Sequence, residues 1–166
     1  TPTAGDASTR IQKAIDEAVA DSKNQGVDLR VVVSGDASAS GGTGGQTPSA
    51  STIKLLVAAA LSDKKVPLSS ISNDLLLMIR DSNNDAANRL IDKAGGFGPI
   101  NAMASKLGAE AHIGRKMMES PGASDPNTIS AKGSDTILTA IKQSEGGGGK
   151  IGQDYASAIM SAMKAQ

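Results

Sequence analysis

Apolar residues at Ile11, Ile15, Ala18 and Val19 recur at the spacing of one helical face, so the first long segment is predicted to be helical. Ser8 is placed to cap its start and Gly26 to stop it, which leaves residues 1–7 as a flexible lead. The period then changes. VDLRVVVSG, Val27 to Gly35, is a β-branched run closed by Gly and predicts a strand. The connector GDASASGGTGGQTP has room for one short strand around Thr43 to Thr47.

Beyond Pro48 the pattern is almost wholly helical. Helices are expected near Ser51–Ser62, Ile71–Arg80, Asp85–Ala94, Pro99–Leu107, Ser134–Gln143 and Ile151–Lys164. Pro99 falls at one start and Gly108 just past the same helix, the usual asymmetry of helix ends. EGGGGK, Glu145 to Lys150, reads as a flexible connector, and no internal repeat is found. Residues 8–166 are expected to form a single α+β domain, mostly helical, with one or two strands. A lone two-stranded ribbon is marginal in water unless something covers or extends it.

Composition narrows what such a domain can do. Lys plus Arg and Asp plus Glu both number 17, so neither a basic field for nucleic acid nor an acidic surface exists. With one Phe, one Tyr and no Trp, stacking platforms for single-stranded nucleic acid or carbohydrate are disfavoured. The absence of Cys removes disulfides, thiolate metal sites and Cys catalysis, and a single His112 excludes a multi-His zinc site; no cofactor is expected. The longest apolar run, Ile53 to Leu61 with Lys54 inside it, is too short for a membrane span. The small-residue opening TPTAGDAST is of the kind that follows a removed export signal or tethers a domain to a surface, and an arbitrary chain start would look the same.

Chemistry concentrates in two places. In SASTIKLLVAAAL, Ser51 and Lys54 stand three apart on one helical face where an apolar helix begins. A serine needs a base within reach to act as a nucleophile, and a lysine desolvated by apolar neighbours can supply it. Backbone N–H groups at the helix start would face an oxyanion. Taken alone, the same pair is what a capping serine and a snorkelling lysine would give. In MIRDSNNDAANRLI, Ser82 and Asn84 sit on a polar turn between apolar helices, either as caps or as a proton relay and an amide offered to a substrate carbonyl.

S-x-x-K opening an apolar helix, S-x-N about thirty residues on, and then A-A-N-x-L together resemble the serine β-lactamase and penicillin-binding-protein superfamily, class A in particular. PSASTIKL, SNNDAANRLI, GGFGPINAMASKLGA and NTISAKGSDTILTAIKQ carry the likeness from about Ser8 to Ala165. The resemblance implies a β-lactamase-like helical lobe with a reduced antiparallel sheet. It implies Ser51 as acylated nucleophile, Lys54 as its proton acceptor, Ser82 as proton shuttle and Asn84 as the group that holds the substrate amide. It also implies a β-lactam or peptidoglycan-like ligand and an exported protein, periplasmic or held at the cell envelope, with a lipid anchor before processing as one form.

Three features depart from the family pattern. Asn83 stands where class A carries Asp. No K-T-G, K-S-G or H-T-G occurs, and the chain reaches MSAMKAQ where the strand bearing that signature would begin. HIGRKMMESPGASDPN lacks the E-x-x-L-N of the deacylating loop, with Glu119 its only glutamate. Losing one oxyanion donor costs roughly 10²–10³ in rate, so efficient β-lactamase activity is not expected. A reduced sheet would leave the strand near Leu29–Val33 as an apolar edge, and a homodimer covering it is expected.

Four readings follow: a degenerate family member that binds or scaffolds; a slow or dimer-assembled serine acyl-enzyme on a β-lactam, peptide or ester; a helical interaction domain docking through Ile151–Met163; or a piece of a protein that continues past Gln166. His112 reads as a surface residue, the methionines Met117, Met118, Met160 and Met163 as core filling, and GGTGG and GGGG as linkers rather than a P-loop.

Overall fold

The computed structural model describes residues 3–119 and 125–166, so part of HIGRKMMESPGASDPN lies outside the described residues. The chain divides into two compact units, residues 1–46 and 47–166.

In the first unit, helix α1 (Ala4–Asn24) lies against a hairpin of strands β1 (Val31–Val33) and β2 (Ala39–Gly41). α1 is capped at Thr3, five residues before the expected cap at Ser8. Thr3 and Asp6 form a reciprocal capping box, which satisfies backbone donors that Ser8 would have reached one turn later. Gly26, at φ 74°, ends the helix as expected. Ile15 is buried against β2, and Gly41 leaves it room: a Cβ there would lie 2.5 Å from Ile15 Cγ2.

The strand expected over Val27–Gly35 pairs only over Val31–Val33, antiparallel with Val32 opposite Ser40. The ladder stops because Gly42, at φ 89°, turns across residues 29 and 30 so tightly that a Cβ would meet Leu29 O at 2.0 Å. Gln12 clamps Ser40 from α1, donating to its carbonyl at 2.8 Å and accepting from its N–H at 3.2 Å.

In the second unit, helix α2 (Ile53–Asp63) is the axis. All of its residues from Ile53 to Leu61 are buried except the half-buried Leu55, as expected for a helix apolar on every side. Helices α3 (Ser72–Arg80), α4 (Asn84–Ala94), α5 (Phe97–Leu107), α6 (Ala131–Glu145) and α7 (Gln153–Lys164) pack around it. A short sheet in the order β3-β5-β4 joins β3 (Thr47–Pro48), β4 (Ala111–His112) and β5 (Thr128–Ile129), all antiparallel. The short strand expected at Thr43–Thr47 is not found there: residues 43–46 are irregular, the connector forms β2 at Ala39–Gly41 instead, and β3 shares only Thr47 with the expectation. β3 sits at an edge, where Pro48 costs no ladder bond. The fold is therefore α+β and mostly helical, its five short strands among the described residues spread over two small antiparallel sheets.

Three local expectations change. α5 starts at Phe97, which makes Pro99 its third residue, still within the turn whose N–H groups need no helical partner. The glycine-rich stretch is a packed turn rather than a linker. Gly149 presses on Ser144 with no space for a Cβ, and the buried Ser144 hydroxyl accepts from Ile151 N–H at 3.2 Å. Met118 is not core: it is 84% exposed at φ 64°, whereas its neighbour Met117 is buried.

Candidate active site

A 3₁₀ turn, Ala50–Thr52, leads from β3 into α2 and presents Ser51 at the surface. Ala50, just before it, has φ 45°, a conformation uncommon outside glycine. Three residues on, Lys54 enters the core and is only 2% exposed. Across from it, the turn between α3 and α4 carries Ser82 at φ 52°, again left-handed. That backbone twist lets Ser82 offer its carbonyl and its hydroxyl to the same partner.

The partner is Lys54. Its Nζ donates to Ser82 O at 2.6 Å, Asn84 Oδ1 at 2.8 Å, Ser82 Oγ at 3.0 Å and Ser51 Oγ at 3.2 Å. Ser82 Oγ in turn donates to Ser51 Oγ at 2.8 Å. Burial holds the Lys54 amine below the ordinary lysine value. Asn84 is the first residue of α4, and Asn83 before it caps the helix, accepting from Ala86 N–H at 2.8 Å. Ser51, Lys54, Ser82 and Asn84 thus form one hydrogen-bonded cluster.

Within the Ser51 turn, Thr52 N–H bonds Ser49 O and Ile53 N–H bonds Ser51 O. An open cavity of about 310 Å³ adjoins Ser51, Lys54 and Ser82, walled by Leu55, Met78 and Ile79 and by Leu138 and Met163 from α6 and α7. Gln166 closes one side, its Nε2 donating to Ile79 O at 2.7 Å. Met163 packs against the core, as the sequence leads one to expect, and also lines this wall, which the sequence did not indicate. The one available signal was Leu138, an apolar residue 40% exposed on the polar side of α6.

The stretch after β4 is tied to α4 by Asn88, which donates to Met117 O at 3.2 Å and accepts from Met117 N–H at 2.7 Å. Glu119 accepts from Lys116 N–H at 3.2 Å, and its described hydrogen bond does not reach the cluster. His112 is a half-exposed residue paired with Asp125 at 2.9 Å. Among the described residues no group of His, Asp and Glu is placed to hold a metal ion.

A family profile described as the beta-lactamase enzyme family matches residues 68–166, more than half of the chain. The chain belongs to that family. The matched region holds Ser82 and Asn84, while Ser51 and Lys54 precede it. No curated protein sequence matches this family member. Solved structures match over nearly the whole chain. An acyl-enzyme complex of a PBP-A variant with penicillin G is 21% identical, with a TM-score of 0.72 over 95% of this chain and 69% of its own. A beta-lactamase from Sphaerobacter thermophilus is 19% identical, with a TM-score of 0.75 over 93% and 69%. A class A beta-lactamase representative from Bacteroides cellulosilyticus is 17% identical, with a TM-score of 0.74 over 99% and 70%. At these identities the likeness shows a shared fold. No helix among the described residues is long and apolar enough to cross a membrane.

Proposed function

We propose that this beta-lactamase family member is a serine acyl-acceptor: Ser51 takes the acyl group of a β-lactam, peptide or activated ester and releases it slowly, so that it acts more by capture than by turnover. The observation that carries this reading is the buried Lys54 amine bridging Ser51, Ser82 and Asn84. A neutral amine has two N–H bonds and one lone pair. Its two shortest contacts, to the Ser82 carbonyl and the Asn84 amide oxygen, take the two hydrogens and leave the lone pair for the Ser51 proton.

Acylation then balances as follows. Ser51 Oγ bonds the acyl carbon as its proton passes to Lys54 Nζ. The bond from that carbon to the leaving nitrogen or oxygen breaks, and Lys54 returns the proton through Ser82 Oγ to the leaving atom. Among the described hydrogen bonds neither the Ser51 backbone N–H nor the Asn84 amide N–H₂ takes part; in this reading the first faces the oxyanion and the second a substrate carbonyl. Release requires a base for water. Among the described hydrogen bonds no carboxylate touches Ser51 or Lys54, which favours a long-lived acyl-enzyme over rapid hydrolysis.

The structurally similar PBP-A variant held as an acyl-enzyme with penicillin G makes penicillin a sensible probe. Incubation with a labelled penicillin and, separately, a nitrophenyl ester, followed by intact mass, is expected to give one adduct that Ser51→Ala abolishes. No adduct from either donor at millimolar concentration overturns the reading in favour of a non-covalent scaffold. We also place the protein outside the cytoplasm, on the family resemblance, and expect a homodimer through the β1 edge, whose single ladder partner among the described residues is β2. A strictly monomeric mass at high concentration removes the dimer.

A further inference from the structure

We propose that Met118 is an oxidant-accepting site, a thioether held in water on a fixed turn, which a peroxide converts to the sulfoxide with no loss of the fold. Of the six methionines, Met78, Met103 and Met117 are buried, and Met160 and Met163 are half-buried against the core. Met118 stands apart, 84% exposed.

Exposure alone says little of an apolar residue, but the backbone adds to it. Residues Lys116 to Glu119 form a reverse turn, closed by Glu119 N–H to Lys116 O at 3.5 Å and by Lys116 N–H to the Glu119 carboxylate at 3.2 Å. Met118 is the third residue of that turn, at φ 64°, where glycine or asparagine fits with least strain. A methionine there carries the left-handed penalty and gains no burial in return. The turn is also fixed. Asn88 bonds both backbone groups of Met117, Asn101 does the same for Ile113, and Asn127 accepts from Gly114 and Arg115 N–H and donates to Arg115 O. Three asparagines therefore pin the chain up to the residue before Met118, and the exposed sulfur has a set place on the surface.

What a thioether offers in water is two-electron chemistry. The Met118 sulfur attacks one oxygen of hydrogen peroxide and the O–O bond breaks. The sulfur keeps that oxygen as a sulfoxide, and the other oxygen leaves as water with both protons; sulfur is oxidised by two electrons and the peroxide is reduced by two. The same change at Met78, which walls the cavity beside Ser51, would set a polar oxygen among apolar side chains. At Met118 the new oxygen meets water.

The test treats the whole chain with limiting hydrogen peroxide, digests it and weighs each methionine-bearing peptide. Met118 is expected to gain oxygen at least about tenfold faster than Met78, Met103 or Met117. The singly oxidised protein is expected to keep the melting temperature of the untreated one. Met118→Leu is expected to remove the fast phase, and Met118→Gly to remove it and also melt higher than the native chain. A first oxygen on any other methionine, or a lower melting temperature once Met118 alone is oxidised, overturns the site. A Met118→Gly variant that melts lower shows that the side chain serves packing, and overturns it as well.

Discussion

Lys54 sits where a charge is hardest to keep, and Ser82 in a backbone conformation that a serine adopts at a cost. The sign of the first effect fixes a pH profile. The proposed acylation needs the neutral amine, so its rate should rise with pH and level off below the ordinary lysine value of 10.5. A rate still climbing through that value would show that the amine is not the base. Ser82 combines a strained backbone with two contacts to Lys54, and variants separate them. Ser82→Ala keeps φ 52° without the hydroxyl, and acylation should drop roughly 10²–10⁴-fold. Ser82→Gly should lose as much activity yet melt higher than Ser82→Ala, by about 1 kcal/mol, because glycine carries no penalty for a left-handed backbone. Equal melting of the two would remove the strain from the account. The serine and lysine were legible as a motif. The two left-handed residues of the site, Ala50 and Ser82, were not, since no propensity marks a non-glycine for that region.

Helix ends are where the site is aimed. α4 begins at Asn84 because Asn83 caps it, so the amide that meets Lys54 is held by the residue before it. Asn83 stands where class A carries Asp, and one side-chain oxygen does the capping in either case. Asn83→Ala should cost about 1 kcal/mol in a chemical melt, and Asn83→Asp close to none. A loss as large for Asp as for Ala would mean that the amide N–H₂ carries the effect.

Among elements, helices were legible nearly to their ends because apolar period and glycine stops agree, as at Gly108 with φ 77°. Strands were not. Each is two or three residues long and its extent is set by a distant partner, as where Gly42 cuts β1 short. The Gly146–Gly149 run misled for a related reason: the need for a bare backbone against Ser144 writes the same letters as a linker does.

At the scale of the molecule, a core nearly free of aromatics has one ring of consequence. Tyr155 is buried, and its hydroxyl donates to Val66 O at 2.6 Å. Burial, with the Asp154 carboxylate beside it, raises its pKa from 10.0 to about 12. The unfolded chain therefore loses the phenolic proton first. Stability should hold up to about pH 10 and then decline toward pH 12, by roughly 2 kcal/mol in all. Tyr155→Phe should lack that decline in urea midpoints, while costing about 1 kcal/mol at neutral pH for the Val66 carbonyl left unpaired. An identical alkaline decline in the variant would move its cause elsewhere.

The burial of α2 couples reactivity to folding. Ser51 rides on the turn that opens this helix, and at the far end the Ser62 hydroxyl accepts from Gly152 N–H at 2.7 Å, just before α7. No partial opening frees α2 while its neighbours stay packed, so its amides should be the last to exchange with solvent deuterium. Covalent capture at Ser51 would then report on the whole second unit: the reactive fraction at each urea concentration should overlay the fraction folded, one curve traced by chemistry and the other by spectroscopy.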